Sequence, residues 1–305
     1  MTGNTITLPY RPPYRWEAMS RFLAGRAISG VEVVTNDEYL RTARISNAGK
    51  DHAHGWVRVS HTPEENALTV TLSPTLLPVL PRVSAKVRQM FDLDCDPKAV
   101  YKKLAPMNDI RPGLCVLGTR LPGGFDGFET AVMAILGQQI TVKAARTLAG
   151  RLVNAFGTPI QTDVEGLTRV FPSPEDILAL KGPIENHLGP LGIIATRARA
   201  IHALAKAITQ GEIDLEHCDR PESEMKKLMS IPGIGNWTAH YIAMRTMKYK
   251  DAFLEKDVGV KRALAPLPDS PKELLALAEA WRPWRGYATI NLWNSLTTLG
   301  NFGNR

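Results

Sequence analysis

The stretch from Leu228 to Tyr241 reads LMSIPGIGNWTAHY, and no other part of this 305-residue chain is as informative. Apolar residues at helical spacing lead up to Ile231, and a second helical pattern begins at Asn236. Between them stands Pro232-Gly-Ile-Gly235, whose glycines permit positive φ and carry no Cβ that would keep a neighbour away. The stretch therefore predicts two helices joined by a tight hairpin.

The hairpin has two possible functions. Its amides and the N-terminus of the second helix could face outwards and bind a phosphate. Alternatively, the glycines only turn the chain at a corner between two helices. Residues 225–305 carry twelve Lys or Arg and six acidic residues. Their excess of six positive charges nearly equals the formal net charge of +7 of the whole chain. A basic surface suits a polyanionic partner, so the phosphate interpretation is favoured.

Two further features follow the hairpin. Trp237, Tyr241 and Met244 stand at i, i+4 and i+7, on one face of the second helix. Such a stripe is typical of a protein core, and it also suits an aromatic wall beside a nucleic acid. Asp257 precedes the helical run VGVKRALA and is predicted to cap it. A capping carboxylate stays ionised, so it could also face a developing cation.

The rest of the chain predicts a mostly α protein with an N-terminal α+β domain. In residues 1–98, a helix is expected over Trp16–Ala27, followed by β-like alternation in VEVVT, YLRTARIS, GWVRVSH and ALTVTLS. A second amphipathic run, LLPVLPRVSAKVRQMFDL, closes this domain. Residues 99–305 read as short helices, and the long pattern over residues 126–156 is expected to break or kink around Gly137.

Composition excludes several classes of protein. Apolar residues at 44% and charged residues at 22% are close to globular averages, which argues against a disordered or fibrous chain. No run approaches the roughly 18 apolar residues of a membrane helix, and the first residues lack a signal-peptide pattern, so we expect a cytosolic protein without a membrane partner. Cys95, Cys115 and Cys218 are expected to be reduced thiols, too few for a four-cysteine iron–sulfur cluster.

Several motifs together resemble the helix-hairpin-helix DNA glycosylase superfamily, and within it the DNA-3-methyladenine glycosylase II family of bacteria. They are PPYRWEAMSRFLAGRAISGVE, ILGQQIT, the hairpin segment and AWRPWRGYATINLW, in this order and nearly end to end. The resemblance implies the helix-hairpin-helix glycosylase fold, in which the N-terminal domain packs on two helical lobes. The helix-hairpin-helix would span about 223–248. One lobe, 250–305 plus 99–125, would carry the catalytic Asp, and the cleft would lie between the lobes.

The resemblance also implies roles for individual residues. Asp257 falls on the catalytic Asp, and Gln139 falls on the residue that wedges into the space left by a flipped nucleotide. The base pocket would be lined by Trp237, Tyr241, Trp293 and Phe22. The amides of Gly233, Gly235 and Thr238 would contact phosphate. The main-chain carbonyls of Met229, Ile231 and Ile234 would hold a monovalent cation, Na⁺ or K⁺. No nucleotide or redox cofactor is implied.

The predicted function is excision of 3-methyladenine, 3-methylguanine and 7-methylguanine from double-stranded DNA, which leaves an abasic site in base excision repair. The chain departs from family patterns at two positions. Trp237 stands where strand-cleaving relatives carry Lys, so no Schiff base can form and a monofunctional enzyme is expected. Gln139 is polar where an apolar wedge is expected. We expect the protein to be a monomer.

Three alternatives remain at this point. A non-catalytic helix-hairpin-helix protein could bind DNA without chemistry, but phosphate binding would need neither the aromatic set nor Asp257. A glycosylase for oxidised or deaminated bases, or one that also cuts the strand, is disfavoured by Trp237. An enzyme unrelated to DNA could use Asp257 with His240, but no His, Cys and Asp cluster with ligand spacing supports it.

Overall fold

The computed structural model describes residues 4–46, 52–267 and 270–298. Its strands are β1 (Thr5–Pro9), β2 (Glu32–Val34), β3 (Glu38–Ser46), β4 (His52–Thr62), β5 (Ala67–Leu72), β6 (Thr158–Pro159) and β7 (Arg169–Val170). Its helices are α1 (Trp16–Ala24), α2 (Leu80–Met90), α3 (Pro97–Leu104), α4 (Met107–Ile110), α5 (Gly127–Leu136), α6 (Val142–Phe156), α7 (Pro174–Leu178), α8 (Ile184–Leu188), α9 (Ala195–Thr209), α10 (Pro221–Ser230), α11 (Asn236–Thr246), α12 (Val258–Leu264), α13 (Pro271–Ala278) and α14 (Arg285–Thr298). None of these helices is long and apolar enough to cross a bilayer.

An antiparallel sheet of five strands forms the N-terminal part, in the order β1-β5-β4-β3-β2. Val57 and Val59 of β4 are buried while their neighbours are partly exposed, which is the alternation of a sheet with one face on the core. Helix α1 buries Trp16, Met19 and Phe22 at helical spacing. Phe22 therefore projects inwards from a helix whose position is fixed by this core.

The predicted fold class is confirmed. The four predicted strand segments form β2 to β5, but β1 was not predicted, because TITLP is short and pairs only at the sheet edge, with β5. The long helical pattern over residues 126–156 is broken as expected: α5 ends at Leu136, Gly137 follows as its C-cap, and α6 begins at Val142. The division into 1–98 and 99–305 stays a prediction.

A buried ion pair attaches the sheet to the helices. Arg41 of β3 donates to Glu129 of α5 at 2.7 Å, and both side chains are less than 10% exposed. The Arg41 guanidinium also lies 4.4 Å from the ring centroid of Phe125. Burial raises the pKa of Glu129 to about 7, although Arg41 opposes the shift. The first turn of α5 is thus held against β3, at the opposite end of the helix from Gly137.

Candidate active site

A cavity of about 1310 Å³ opens between α1, the α5–α6 connection, the hairpin and α14. It brings together all nine predicted catalytic, base-pocket and DNA-contacting residues: Phe22, Gln139, Gly233, Gly235, Trp237, Thr238, Tyr241, Asp257 and Trp293. The three residues predicted to hold a cation do not line the cavity: Met229 lies at the end of α10, and Ile231 and Ile234 lie in the connection to α11. These positions agree with the predicted site, while the roles of the residues stay predictions.

Asp257 is held by three N–H donors at the wall of the cavity. It caps α12, where its Oδ1 accepts from the Val260 amide at 2.9 Å. The indole of Trp293 donates to the same oxygen at 2.8 Å, and the indole of Trp237 donates to Oδ2 at 3.1 Å. These donors stabilise the negative charge and fix the orientation of the carboxylate. The capping role and the position in the cavity are therefore compatible, as the sequence suggested.

Gly259 makes the contact between Trp293 and Asp257 possible. A Cβ at this position would lie 2.9 Å from Oδ1 of Asp257 and 2.9 Å from Cδ1 of Trp293, closer than real Cβ contacts. The glycine stands inside α12, where it costs about 1 kcal/mol of helix stability relative to Ala. Sequence reasoning missed its role, and the only available signal was this unfavourable glycine two residues after Asp257.

Four aromatic rings from three helices form the wall beside Asp257. Trp237 and Tyr241 stack on α11 with ring centroids 5.2 Å apart and an interplanar angle of 8°. Phe22 and Trp293 stack at 6.3 Å, and Tyr241 and Trp293 are tilted at 6.4 Å. Such a wall supplies apolar surface with negative ring faces, which attracts flat and cationic groups.

Arg245 fixes Tyr241, and sequence reasoning missed it as well. Its buried guanidinium donates to the Tyr241 hydroxyl at 2.5 Å, to the Pro122 carbonyl at 2.7 Å and to the Gly123 carbonyl at 3.1 Å. Burial alone would raise the pKa of the Tyr241 hydroxyl, but Arg245 and Arg26 outweigh burial and lower it. Since Arg245 stands four residues after Tyr241, the helical spacing of the aromatic stripe could have identified it.

The hairpin contains a left-handed glycine and leads into a helix whose first amides have no side-chain cap. Gly233 adopts φ +95°, a left-handed conformation that favours glycine. Gly235 is the N-cap of α11 and provides no side-chain hydrogen bond, so the first amides of α11 are not capped by a side chain. An added Cβ at Gly235 would meet nothing within 4 Å. This combination of uncapped amides and open space suits the approach of an anion.

Gln138 ties the hairpin to the connection between α5 and α6. Its side-chain amide donates to the Gly233 carbonyl at 2.8 Å and to the Thr238 hydroxyl at 2.9 Å. The next residue, Gln139, is exposed and has φ +56°, a conformation that a non-glycine residue rarely adopts. The predicted wedge residue is therefore presented at the cavity by a backbone that is anchored to the hairpin.

The three predicted cation ligands are carbonyls at the end of α10 and in the hairpin. The last carbonyls of a helix have no intrahelical donor, and α10 ends at Ser230, next to Met229 and Ile231. The Ile231 carbonyl accepts from the Ile234 amide at 3.0 Å, and its second lone pair can still bind an ion. Oxygen donors of this kind fit a hard cation, so these carbonyls could hold Na⁺ or K⁺.

His240 does not join Asp257. It does not line the cavity, and burial lowers the pKa of its imidazole, while Glu255 opposes the shift. Among the residues that the structure describes, its buried Nδ1 has no hydrogen-bond partner. The alternative of an enzyme that pairs Asp257 with His240 has no support in this geometry.

Comparisons with known proteins show the family to which the chain belongs. The chain matches the family models of the AlkA N-terminal domain over residues 5–126 and of the HhH-GPD superfamily base excision DNA repair protein over residues 132–285. It is 36% identical over 287 residues to DNA-3-methyladenine glycosylase 2 of Escherichia coli strain K12, across 94% of this chain and 96% of the relative. It is 31% identical over 219 residues to DNA-3-methyladenine glycosylase of Bacillus subtilis strain 168, across 69% of this chain and 71% of the relative.

A solved structure shows the same fold. The 3-methyladenine DNA-glycosylase from Archaeoglobus fulgidus matches with a TM-score of 0.73 and 23% sequence identity, across 96% of this chain and 99% of that one. The two family models, the relative from E. coli and this fold match agree with the sequence motifs, the N-terminal sheet and the hairpin. The chain therefore belongs to the HhH-GPD superfamily of base excision DNA repair proteins, and it is a DNA glycosylase of the DNA-3-methyladenine glycosylase 2 type.

Proposed function

We propose that this glycosylase is monofunctional and that it flips and excises 3-methyladenine, 3-methylguanine and 7-methylguanine from double-stranded DNA. The observation that carries the proposal is Asp257, a carboxylate held by Trp237, Trp293 and the Val260 amide in the wall of an aromatic cavity. A carboxylate in this position can stabilise the positive charge that develops on the deoxyribose as the glycosidic bond breaks. It can also accept a proton from the attacking water.

Access to this carboxylate requires the damaged nucleotide to leave the helix. The glycosidic bond is hidden within duplex DNA, and flipping costs a few kcal/mol. The cavity of about 1310 Å³ has room for a purine and its sugar. In this proposal, stacking on the aromatic wall offsets the cost of flipping, and Gln139, which lines the cavity, enters the gap in the duplex.

Alkylated purines suit a cavity whose wall beside Asp257 is aromatic. Alkylation at N3 or N7 gives the purine a positive charge and makes it a good leaving group, so one carboxylate suffices where sugar glycosidases need a second as general acid. Discrimination between damaged and normal bases then depends more on the weakened glycosidic bond than on the shape of the base. We therefore expect release of all three methylated purines.

The hairpin would hold the DNA backbone on either side of the lesion. The uncapped first amides of α11, from Asn236 onwards, offer a phosphate site next to the cavity. We propose that Na⁺ or K⁺ on the carbonyls of Met229, Ile231 and Ile234 stabilises the hairpin against DNA. The proposed chemistry uses no nucleotide or redox cofactor, and the monomeric state and the cytosolic location stay predictions.

One assay separates the proposal from its alternatives. The protein is incubated with methylated duplex DNA, released bases are identified by chromatography, and strand breaks are counted with and without alkali. We expect all three methylated purines in solution and breaks that appear only after alkali. Binding without released base would favour a non-catalytic protein, breaks without alkali would indicate a strand-cleaving enzyme, and release of only oxidised or deaminated bases from matched duplexes would favour the remaining alternative.

A further inference from the structure

A positively charged side chain lies on the aromatic wall, which is unexpected for a cavity that accepts cationic bases. The guanidinium of Arg26 is 3.8 Å from the ring centroid of Phe22 and 5.7 Å from that of Trp293. Its Nη1 donates to the Phe22 carbonyl at 3.3 Å, near the C-terminal end of α1. The groups that act on the charge of Arg26 are the Tyr241 hydroxyl, with which it forms a hydrogen bond, Arg245 and, to a smaller extent, Asp257.

The charges of the cavity are arranged in two groups around Trp293. Arg26 lies near the ring of Trp293, while the indole N–H of the same residue donates to Asp257 at 2.8 Å. Arg245 adds a second positive charge on the side of Arg26, with its guanidinium 4.9 Å from the Phe22 ring centroid. Positive charge is thus concentrated at Phe22 and Tyr241, and negative charge at Asp257.

This arrangement opposes the binding of a cationic base but favours the breaking of its bond. When the bond from the sugar carbon C1′ to the base nitrogen breaks, its electron pair moves onto the base. An alkylated purine changes from cationic to neutral, and the sugar becomes positive. The oxygen of a water molecule then forms the new bond to C1′, and the proton lost from that water passes to Asp257 or to solvent.

We propose that Arg26 raises the rate constant of base excision electrostatically. Its charge repels the positive charge of the bound base and so favours movement of that charge to the sugar, beside Asp257. The proposal rests on the proposed function, since it concerns how the same site breaks the same bond. Repulsion between Arg26 and the base is relieved in the transition state, and the attraction between Asp257 and the sugar grows there. Interactions that improve only in the transition state raise the rate constant without tightening substrate binding.

The test compares Arg26→Met, which keeps a long apolar stem without charge, with Arg26→Lys, which keeps the charge. Single-turnover rates are measured on a duplex with one 7-methylguanine. Affinity for the same duplex is measured in the Asp257→Asn background, with and without Arg26→Met. We expect Arg26→Met to lower the rate constant about 10- to 100-fold, Arg26→Lys to retain most of it, and the Met variant to bind the duplex as tightly as its parent or more tightly.

Three results would overturn this inference. The first is an unchanged rate constant in Arg26→Met. The second is an equal loss of rate in Arg26→Met and Arg26→Lys, which would indicate a packing role. The third is a loss of affinity in Arg26→Met as large as its loss of rate. A wild-type protein that releases no 7-methylguanine would instead overturn the proposed function, so the two failures are distinguishable. Thermal unfolding of each variant confirms that the fold is retained.

Discussion

At the scale of single residues, Trp293 serves two purposes that can be separated by substitution. Its ring forms part of the aromatic wall, and its N–H holds Asp257 at 2.8 Å. Trp293→Ala removes both contributions, so we expect excision of all three methylated purines to fall, by a factor that corresponds to about 1–3 kcal/mol of stacking and more if Asp257 also reorients. Single-turnover release of each base measures the effect.

Trp293→Phe is the matched control, because it removes the N–H and the pyrrole part of the indole but keeps a six-membered aromatic ring. We expect a smaller loss that is similar for the three bases. A variant Trp293→Ala that loses activity on only one base would show that a specific polar contact, and not the aromatic surface, governs recognition.

Gly259 provides a second prediction at this scale. Gly259→Ala places a methyl group 2.9 Å from Asp257 Oδ1 and from Trp293 Cδ1, so the indole or the carboxylate must move. A displacement of this kind can cost about 100-fold in rate. Because Ala favours a helix more than Gly does, unfolding should not be strongly affected. We expect a large loss of single-turnover rate with a small change in melting temperature.

Gly189→Ala is the matched control for Gly259→Ala. Gly189 has nothing within 4 Å of an added Cβ and does not line the cavity, so this variant should keep the wild-type rate. A Gly259→Ala protein with an unchanged rate would mean that Trp293 need not contact Asp257 during the reaction.

At the scale of elements, the hairpin between α10 and α11 contains two glycines with different requirements. Gly235 has an ordinary φ of −92° and open space around it, so Gly235→Val should fold normally while its side chain obstructs the DNA backbone. We expect weaker binding to damaged and undamaged duplex alike, since phosphate contacts carry no base information. Fluorescence anisotropy with both duplexes measures this effect.

Gly233→Ala is the comparison within the same hairpin. At φ +95° an Ala residue is strained by about 1–3 kcal/mol, and Val at the N-cap position of Gly235 costs about 1 kcal/mol, so the free energy of unfolding is measured for both variants. If Gly235→Val bound undamaged duplex as tightly as wild type, the backbone at this glycine would not face DNA.

The elements of the site differ in how far sequence could predict them. The hairpin and Asp257 were predictable, because glycines in a tight turn and Asp before a helix leave local signals. The contacts of Gly259 and Arg26 with Trp293 were not, because Trp293 is distant in sequence from both residues and meets them only in the folded chain. Strand β1 escaped prediction for a similar reason, since its pairing partner β5 lies about 60 residues further along.

At the scale of the whole molecule, the surplus of basic residues in 225–305 is only partly available to DNA. Arg245 and Arg285 are buried, and Arg285 and Arg282 both pair with Asp251. Arg305 and Asp269, which were counted in the sequence, lie outside the described residues. The exposed basic residues include Lys256, which lines the cavity next to Asp257. The positive surface is therefore smaller than the sequence count indicates.

This charge distribution predicts how affinity depends on salt. The logarithm of the binding constant should fall linearly with the logarithm of salt concentration, with a slope of about −2 to −5, because each neutralised phosphate contributes about −0.9. Lys256→Ala should make the slope less steep by about one such contribution. Lys272→Ala, on α13 and outside the cavity wall, should leave it unchanged. A binding constant independent of salt would refute the assignment of this surface to DNA.

The most direct test of the whole account is the rate of base release by Asp257→Asn. Asn is isosteric and caps helices as well as Asp, so α12 should be preserved while the negative charge is lost. We expect single-turnover release of 7-methylguanine to fall to about 1% of the wild-type rate or less, with affinity for an abasic-site analogue largely unchanged. A variant that released the base at close to the wild-type rate would show that Asp257 is not the group that stabilises the sugar cation.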